Sequence, residues 1–317
     1  MGGKYRVAEQ IGRGGFGAVY AAEHLTTGQQ VAIKVLALDA DEGDDTVVAR
    51  FLQEAQVTAR LKHPNTVRVF DFGQTNDGAL YMVLELLRGP TLERVLKDRD
   101  KDGTAVSEKD ALAMALPILR SLQEAHDLGL VHRDLKPANV ILADAGDDEP
   151  VVKVLDFGIA RKRDSDLTGH GKALGTPSYM SPEQCRGLEL DGRSDLYAMG
   201  LILYRCVAGR LPFQSDNPMA LIHAHASEQP PDLRSVARVP VSDGFVALVH
   251  QALAKTPDAR FPSARAMRDA CQAVMGGAWA GTPARAMAVA DPEVDDVTLE
   301  MTPAGATDRK STRLNSS

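Results

Sequence analysis

Cysteine is scarce in this chain of 317 residues, which has only three. Cys185, Cys206 and Cys271 lie too far apart for the ligand spacing of a zinc site, and an odd number of cysteines cannot complete a disulfide framework. This scarcity disfavours a small secreted domain held together by metal or disulfide bonds. A reducing, cytoplasmic setting is therefore the simpler expectation.

Long apolar runs and an excess of basic residues are also missing. No run of about 18 apolar residues occurs, and the best candidate, residues 196–203, is too short to span a membrane. The first residues lack the apolar core of a signal peptide, and Arg6 breaks a myristoylation pattern. A formal net charge of -7 disfavours a nucleic-acid binder, which usually has a basic face. We expect neither a membrane span in this chain nor a nucleic-acid partner.

What the chain does have is a β-rich beginning. Its length fits one large two-lobed domain or two modest ones, and 44% hydrophobic residues are enough for a sizeable core. Alternating, β-branched segments within 5–38 predict a strand meander. A helical pattern over 48–61 ends before Pro64, and two further strands are predicted at 67–72 and 80–86.

The pattern becomes mostly helical from residue 92 onward, with long helices predicted over 107–128, 191–209, 216–227 and 242–253. The order is therefore a small sheet-rich half followed by a larger helical half.

The end of the chain has a different composition, in which Gly, Ala, Pro, Thr and Asp dominate. Residues 276–317 are therefore predicted to form a disordered tail. Residues 310–317 resemble a recurrent non-native read-through, so two interpretations stay open: a native end of the chain and an artefactual one.

A glycine-rich segment near the N-terminus contains the pattern G-x-G-x-x-G at Gly12, Gly14 and Gly17. Glycine lets the backbone approach phosphate oxygens without a Cβ clash. Alone the motif is weak, because an ordinary glycine-rich hairpin fits it equally well. A Rossmann site would need a helix after the last glycine, whereas a strand is predicted. A Walker A loop would need Lys, and not Ala18, after Gly17.

A single lysine, Lys34, lies in the apolar strand that follows this segment. Such a lysine is often an edge-strand residue, but a buried one needs a carboxylate partner. Glu54 lies 20 residues later, in the next predicted helix, and could supply it. A glycine-rich loop, a strand lysine and a helix glutamate in this order resemble a protein kinase.

Two further motifs strengthen this resemblance. Residues 131–139, Val-His-Arg-Asp-Leu-Lys-Pro-Ala-Asn, match the kinase catalytic loop H-R-D-x-x-x-x-N, and Asp156-Phe157-Gly158 follow. Either motif alone could be an ordinary polar loop. The motifs occur in the order found in kinases, and the resemblance continues through 175–183 to Arg260 and Phe261. Residues 5–273 are therefore similar to the bacterial eukaryotic-like, or Hanks-type, serine/threonine protein kinases.

The resemblance implies an α+β, two-lobed protein kinase fold with a small β-rich N-lobe at 1–86 and a helical C-lobe at 87–275, before the tail at 276–317. It implies transfer of the γ-phosphoryl group of ATP to Ser or Thr hydroxyls of proteins, as in a non-specific serine/threonine kinase. ATP and Mg²⁺ are the implied cofactors. Protein substrates are the implied partners, with self-association for trans-autophosphorylation.

The same resemblance assigns catalytic roles residue by residue. Asp134 would accept the hydrogen bond of the substrate hydroxyl and Lys136 would meet the γ-phosphate. Lys34, held by Glu54, would contact the α- and β-phosphates. Thr176 would brace Asp134 and Lys136 beneath the substrate.

Asn139 and Asp156 are implied as ligands of Mg²⁺, which prefers hard oxygen ligands. Three further residues receive structural roles. Asp195 would anchor the backbone of the catalytic loop, and Glu183 and Arg260 would form a buried ion pair.

The implied nucleotide site combines the glycine-rich loop with residues of both lobes. Val19, Ala32 and Ile141 would sandwich the adenine, although core packing alone also explains them. The backbone of Glu85 and Leu87 would read its edge. The full set is Ile11, Gly12, Arg13, Gly14, Gly15, Phe16, Gly17, Ala18, Val19, Ala32, Lys34, Glu85, Leu87 and Ile141.

Two alternatives belong to other classes. A pseudokinase scaffold would bind partners without catalysis, but every metal-binding and base residue is present. A small-molecule phosphotransferase is disfavoured by the long segment 156–183.

Ala138 stands where kinases that favour basic peptides often carry an acidic residue, so no strong Arg preference is expected. Thr168 or Ser165 is predicted to be an activating phosphorylation site read by Arg133.

Overall fold

The structure is a computed structural model that describes six stretches of the chain. They are residues 3–14, 17–36, 45–75, 78–146, 148–157 and 177–279. All six lie within one compact unit, Met1–Thr282, and a second unit, Pro283–Ser317, falls outside the described residues.

The N-terminal lobe is built on one antiparallel five-stranded sheet with the spatial order β1-β2-β3-β5-β4. Its strands are β1 (Tyr5–Gly14), β2 (Gly17–His24), β3 (Gln30–Leu36), β4 (Val69–Gln74) and β5 (Leu80–Glu85). One helix, α1 (Asp45–Thr58), packs Phe51 and Ala55 against apolar residues of this sheet.

The two faces of strand β3 belong to different apolar clusters. Val31 and Ile33 pack in one cluster, whereas Ala32 and Leu36 pack in the cluster that includes helix α1. Because side chains alternate along a strand, Lys34 lies on the same face as Ala32 and Leu36. The alternation therefore turns this lysine toward the helix side of the sheet, away from Ile33.

The C-terminal lobe is mostly helical. In chain order its helices are α2 (Leu92–Lys101), α3 (Glu108–Asp127), α4 (Pro182–Cys185), α5 (Gly192–Ala208), α6 (Pro218–Ser227), α7 (Leu233–Val236), α8 (Asp243–Ala252) and α9 (Ala264–Met275). A small antiparallel pair, β6 (Val140–Ala145) and β7 (Asp148–Val154), lies between α3 and α4 in sequence.

Helix α5 is the centre of this lobe. Its sequence is apolar on every side, as expected of a helix buried all round, and nearly all its residues from Ser194 to Ala208 are buried against α3, α8 and α9. The Asp191 side chain caps its first turn by accepting from the backbone N–H of Arg193. Gly209 ends the helix with a left-handed φ of 69°. These caps fix both ends of the helix, and Asp195, a residue of the site described below, lies in its first turn.

Two predicted elements are displaced where the chain leaves the N-terminal lobe. Helix α1 ends at Thr58, three residues before the predicted end, and Leu61 instead joins the apolar core of the C-terminal lobe. Strand β4 begins at Val69 and not at residue 67, because the N–H of Val67 donates to the carbonyl of Val154 in β7. Contacts with the C-terminal lobe set both of these boundaries, and this explains both errors.

The chain beyond α9 continues along the C-terminal lobe for a few residues. Trp279 lies 6.2 Å from Phe261 between ring centroids and packs against the core. Residues 280–317, most of the predicted tail, are outside the described part, and the predicted domain limits stay predictions. Within the described stretches, no helix is both long and apolar enough to cross a bilayer. The two lobes confirm the predicted α+β architecture.

Candidate active site

Two residues of the predicted site have an unusual backbone conformation. Arg133 has a φ of 64° and Asp156 a φ of 52°, values in the left-handed region that non-glycine residues rarely adopt. Such a conformation costs about 1–3 kcal/mol per residue and persists only where the surroundings impose it.

Asp195 supplies much of that restraint for Arg133. This carboxylate is 1% exposed in the first turn of α5, and it accepts from the backbone N–H groups of His132 at 2.9 Å and Arg133 at 3.0 Å. The Nε2 atom of His126 lies 2.7 Å from the same carboxylate. The Gln184 side chain donates to the carbonyl of Arg133 at 2.8 Å. The predicted anchoring role of Asp195 is confirmed.

The side chain of Asp134 lies at the end of this anchored turn. Its Oδ2 atom accepts from Lys136 Nζ at 2.7 Å and from Asn139 Nδ2 at 3.2 Å. Asn139 Nδ2 also donates to the backbone carbonyl of Asp134 at 2.8 Å. Three predicted site residues are therefore brought together, and two donors fix the direction of one carboxylate.

A second set of contacts joins the catalytic loop to the segment of Asp156. The His132 ring is fully buried, its Nε2 atom lies 2.8 Å from the carbonyl of Leu155, and it packs on Phe157 at 4.6 Å between ring centroids. The N–H of Leu155 donates to the carbonyl of Asn139 at 2.9 Å. The two predicted metal ligands, Asn139 and Asp156, are therefore held on adjacent backbone segments.

Lys34 reaches this segment from the N-terminal lobe. Its Nζ atom lies 2.7 Å from Asp156 Oδ1, so the ammonium group and the carboxylate form an ion pair between the lobes. The predicted partner, Glu54, belongs to helix α1, but its side chain is outside the described residues. The Lys34–Glu54 pair stays a prediction.

The glycine-rich segment is the β1–β2 hairpin. Gly14 pairs with Gly17 and Gly12 with Val19 across it. Gly17 has a φ of 131°, and a Cβ atom there would lie 1.9 Å from the carbonyl oxygen of Val35, so only glycine fits. Gly15 and Phe16, at the tip, lie outside the described residues.

Residues predicted to surround the adenine come from both lobes. Ala32 is buried in the apolar cluster of helix α1, and Val19, Leu87 and Leu155 pack against it. Ile141, half-buried on β6, forms a bridge to residue 91. Ile11 and the neighbouring strand residues of β1 are more exposed. The apolar surface of this cluster suits the planar, uncharged face of a purine ring.

The segment that joins the lobes carries an ion pair that the sequence analysis missed. Lys153 Nζ on β7 donates to both carboxylate oxygens of Glu85, at 3.0 and 2.8 Å. Strand β5 ends at Glu85, so the backbone of Leu87 lies beyond the last strand pair. Lys153 interrupts an apolar strand just as Lys34 does, and the argument that a buried lysine needs a carboxylate would have singled it out.

The predicted donor atoms for a metal are the side-chain oxygens of Asn139 and Asp156. In the described part of the chain no group of three or more His, Cys, Asp or Glu residues could hold an ion by itself. Mg²⁺ needs no such cage, because it usually binds one or two carboxylates together with substrate phosphates and water. The residues present fit Mg²⁺ bound with a nucleotide.

A buried ion pair stabilises the large lobe below the site. Arg260 and Glu183 form two hydrogen bonds of 2.7 and 2.8 Å, and Ser194 donates to the same carboxylate at 2.6 Å. Burial opposes ionisation of Glu183, but the Arg260 and Ser194 hydrogen bonds outweigh it and lower its pKa. The predicted Glu183–Arg260 pair is confirmed.

Several predicted residues cannot be placed. Thr176, Gly158 and the predicted phosphorylation sites Ser165 and Thr168 all fall within 158–176, outside the described residues. Their predicted roles stay predictions.

A β-rich lobe, a helical lobe and a carboxylate held between lysine and asparagine define a protein kinase. The family model described as "Protein kinase domain" matches residues 5–272, and the chain belongs to this family.

Curated relatives of the chain include bacterial serine/threonine protein kinases. The chain is 42% identical to serine/threonine-protein kinase pkn3 of Myxococcus xanthus, over 86% of this chain and 50% of the relative. It is also 42% identical to serine/threonine-protein kinase PksC of Streptomyces coelicolor, over 89% of this chain and 51% of the relative. The chain thus spans about half the length of these relatives.

Among solved structures, the chain is similar to the Mycobacterium tuberculosis PknI kinase domain. The TM-score is 0.67 and the identity 31%, over 85% of this chain and 96% of that one.

Proposed function

We propose that this domain transfers the γ-phosphoryl group of ATP to Ser and Thr hydroxyls of proteins, itself included, as a non-specific serine/threonine protein kinase. The observation that carries the proposal is the Asp134 carboxylate, oriented by Lys136 at 2.7 Å and Asn139 at 3.2 Å on a loop anchored by Asp195. Phosphoryl transfer makes little covalent demand on the protein, so positioning of this kind supplies much of the catalysis.

Asp134 is the group that accepts the proton of the substrate hydroxyl. Lys136 and Asn139 both donate to its Oδ2 atom, and this fixes the direction in which the carboxylate meets the substrate hydroxyl. Lys136, next to this carboxylate, provides positive charge for the γ-phosphate. Holding the two opposite charges 2.7 Å apart lets one site orient both reacting groups.

The remaining charged residues serve the nucleotide. The Asn139 and Asp156 side chains would supply oxygen ligands for Mg²⁺, which would neutralise charge on the phosphate oxygens. Lys34 supplies a cation for the α- and β-phosphates from its position beside Asp156. The β1–β2 hairpin covers the phosphates with backbone, which only glycine permits at Gly17.

The cytoplasm is the proposed site of action, since ATP is available there. The free thiols of Cys185, Cys206 and Cys271 support a reducing setting. Autophosphorylation between two copies is the proposed form of self-association, and its rate per molecule should rise with protein concentration.

The test is incubation of the purified chain with Mg-ATP, with and without a chelator, followed by mapping of phosphorylated residues. We expect phosphate on Ser or Thr of this chain or an added protein, only when Mg²⁺ is present. ATP binding without transfer would instead indicate a scaffold. Transfer only to small molecules would indicate a phosphotransferase of another kind.

A further inference from the structure

A cavity of about 600 Å³ lies beside the catalytic loop in the C-terminal lobe. Helix α2 lines one side, the end of α5 and the residues after it line another, and Lys136 and Ala138 line the edge nearest Asp134. The volume is large enough for a short stretch of extended peptide.

The lining of this cavity is rich in cations. Four basic residues, Lys97, Lys136, Arg205 and Arg210, face two carboxylates, Glu93 and Asp100.

The two carboxylates are already engaged. Glu93 accepts from Arg205 at 2.5 Å and lies 3.3 Å from Lys97, so two cations share one anion. Burial opposes ionisation of Glu93, but its contacts with Arg205 and Lys97 outweigh it and lower its pKa. Asp100 pairs with Arg238 at 3.2 Å, from outside the lining.

The charges that remain are positive. Asp134 neutralises Lys136, and Arg238 neutralises Asp100. Three cations of the lining, Lys97, Arg205 and Arg210, then remain, and Glu93 is the one lining carboxylate left to neutralise them. Arg210 is exposed and has no ion pair within 4.0 Å among the residues that the structure describes. The guanidinium of Arg205 is fixed further by a 2.8 Å hydrogen bond to the hydroxyl of Tyr179.

We propose that this cavity binds the carboxylate of an Asp or Glu residue close to the target Ser or Thr in the protein substrate, and so selects acidic substrates. The proposal rests on the proposed kinase function. Arg210 and Lys97 are the specificity-determining residues, because they carry the accessible positive charge beside Lys136. A basic residue at the same place would meet like charges, which disfavours it.

The expected preference is moderate, because both cations are exposed to water. Exposed ion pairs contribute up to about 1 kcal/mol, which corresponds to about a fivefold change in kcat/KM. The effect should fall on KM more than on kcat, because the contact is made equally in the bound substrate and the transition state.

The experiment measures kcat/KM on a peptide library in which each position on both sides of the target hydroxyl carries Asp, Glu, Ala, Lys or Arg. The variant is Lys97→Glu combined with Arg210→Glu. The matched control is Arg99→Glu, which lies on α2 two residues from Lys97. Two residues along a helix are about 200° apart around the axis, so Arg99 projects from the opposite face, and it does not line the cavity.

An about fivefold preference for Asp or Glu at one position, kept by Arg99→Glu and lost or reversed in the double variant, would support the proposal. Phosphorylation with no acidic preference would overturn it while leaving the kinase function intact. A preference that survives in the double variant would also overturn it. No phosphorylation of any peptide or protein would overturn the kinase function, and this proposal with it. Unchanged thermal midpoints of the variants would show that folding is unaffected.

Discussion

The catalytic loop and the glycine-rich hairpin hold their residues in opposite ways. The loop is fixed by side chains from elsewhere in the C-terminal lobe, with His132 and Asp195 buried at its centre. The β1–β2 hairpin is fixed by backbone pairing, and its apolar side chains Val7 and Ile11 are 45% and 47% exposed. A proton acceptor needs one fixed direction, whereas a cover over phosphates needs close backbone and few side chains.

This difference predicts which kinetic parameter a substitution in each region changes. Changes in the catalytic loop or its anchors should lower turnover, because they displace groups that act in the transition state. Changes in the hairpin or the connection between the lobes should mainly weaken nucleotide binding and raise the KM for ATP.

The largest effect should come from Asp134→Asn. The amide keeps the shape of the side chain but cannot accept the substrate proton, so kcat should fall by on the order of 10²-fold or more. The assay is phosphoryl transfer to an added protein at saturating ATP. Asp144→Asn, an exposed position on β6, is the control and should retain full turnover. Near-normal kcat in folded Asp134→Asn would contradict the assignment of the base.

A somewhat smaller effect is expected for Asp195→Asn. One acceptor oxygen becomes an NH₂ group that faces the backbone N–H of either His132 or Arg133, so a buried donor loses its partner at a cost of about 1–3 kcal/mol. Displacement of the loop should lower kcat by roughly tenfold to a hundredfold.

The control for this change is Asp191→Asn at the N-cap of the same helix, where Asn caps as well as Asp. Thermal unfolding and steady-state kinetics measure both variants. If Asp191→Asn lowered kcat as much as Asp195→Asn, a general effect on α5 would replace the anchoring explanation.

Gly17→Ala should raise the KM for ATP by about tenfold. The new Cβ atom would lie 1.9 Å from the carbonyl of Val35 and φ would remain strained, which costs about 1–3 kcal/mol. Gly12→Ala is the matched comparison, because its Cβ atom would lie 3.7 Å from the Val19 side chain, in ordinary contact. Equal KM values for the two variants would show that the clash is relieved without cost.

The smallest effect is expected for Lys153→Met, which leaves Glu85 without its ion pair between the lobes. Lys153 is buried, but Glu85 is partly exposed and water can solvate the carboxylate that is left behind. The KM for ATP should therefore rise by only up to about fivefold, with little change in kcat. Lys109→Met, on the exposed surface of α3, is the control. A fall in kcat at saturating ATP would instead link Lys153 to the catalytic loop.

The fold and the contacts within the catalytic loop were predictable because they depend on local patterns. Alternation predicted the strands around Lys34, and the resemblance of residues 131–139 to the kinase catalytic loop grouped Asp134, Lys136 and Asn139 in one site. The fold class was confirmed, and so were the anchoring contacts of Asp195.

Contacts between distant segments were harder to predict. The ends of α1 and β4 are set by bonds to the C-terminal lobe, for example from Val67 to Val154, and these leave no periodic trace in the sequence. Lys34 was expected beside Glu54, yet its described contact is with Asp156, a residue 122 positions later. The cavity next to Ala138 depends on side chains from α2 and the end of α5, which only folding brings together.

The Glu183–Arg260 pair also has a consequence for how the protein is made. During synthesis Glu183 leaves the ribosome 77 residues before the guanidinium that neutralises it. A polypeptide that stopped before Arg260 would bury a carboxylate without its partner, at a cost of about 3–5 kcal/mol. The cell's proteases act on such unstable chains. The last part of the domain therefore contributes to whether a nascent chain survives long enough to fold.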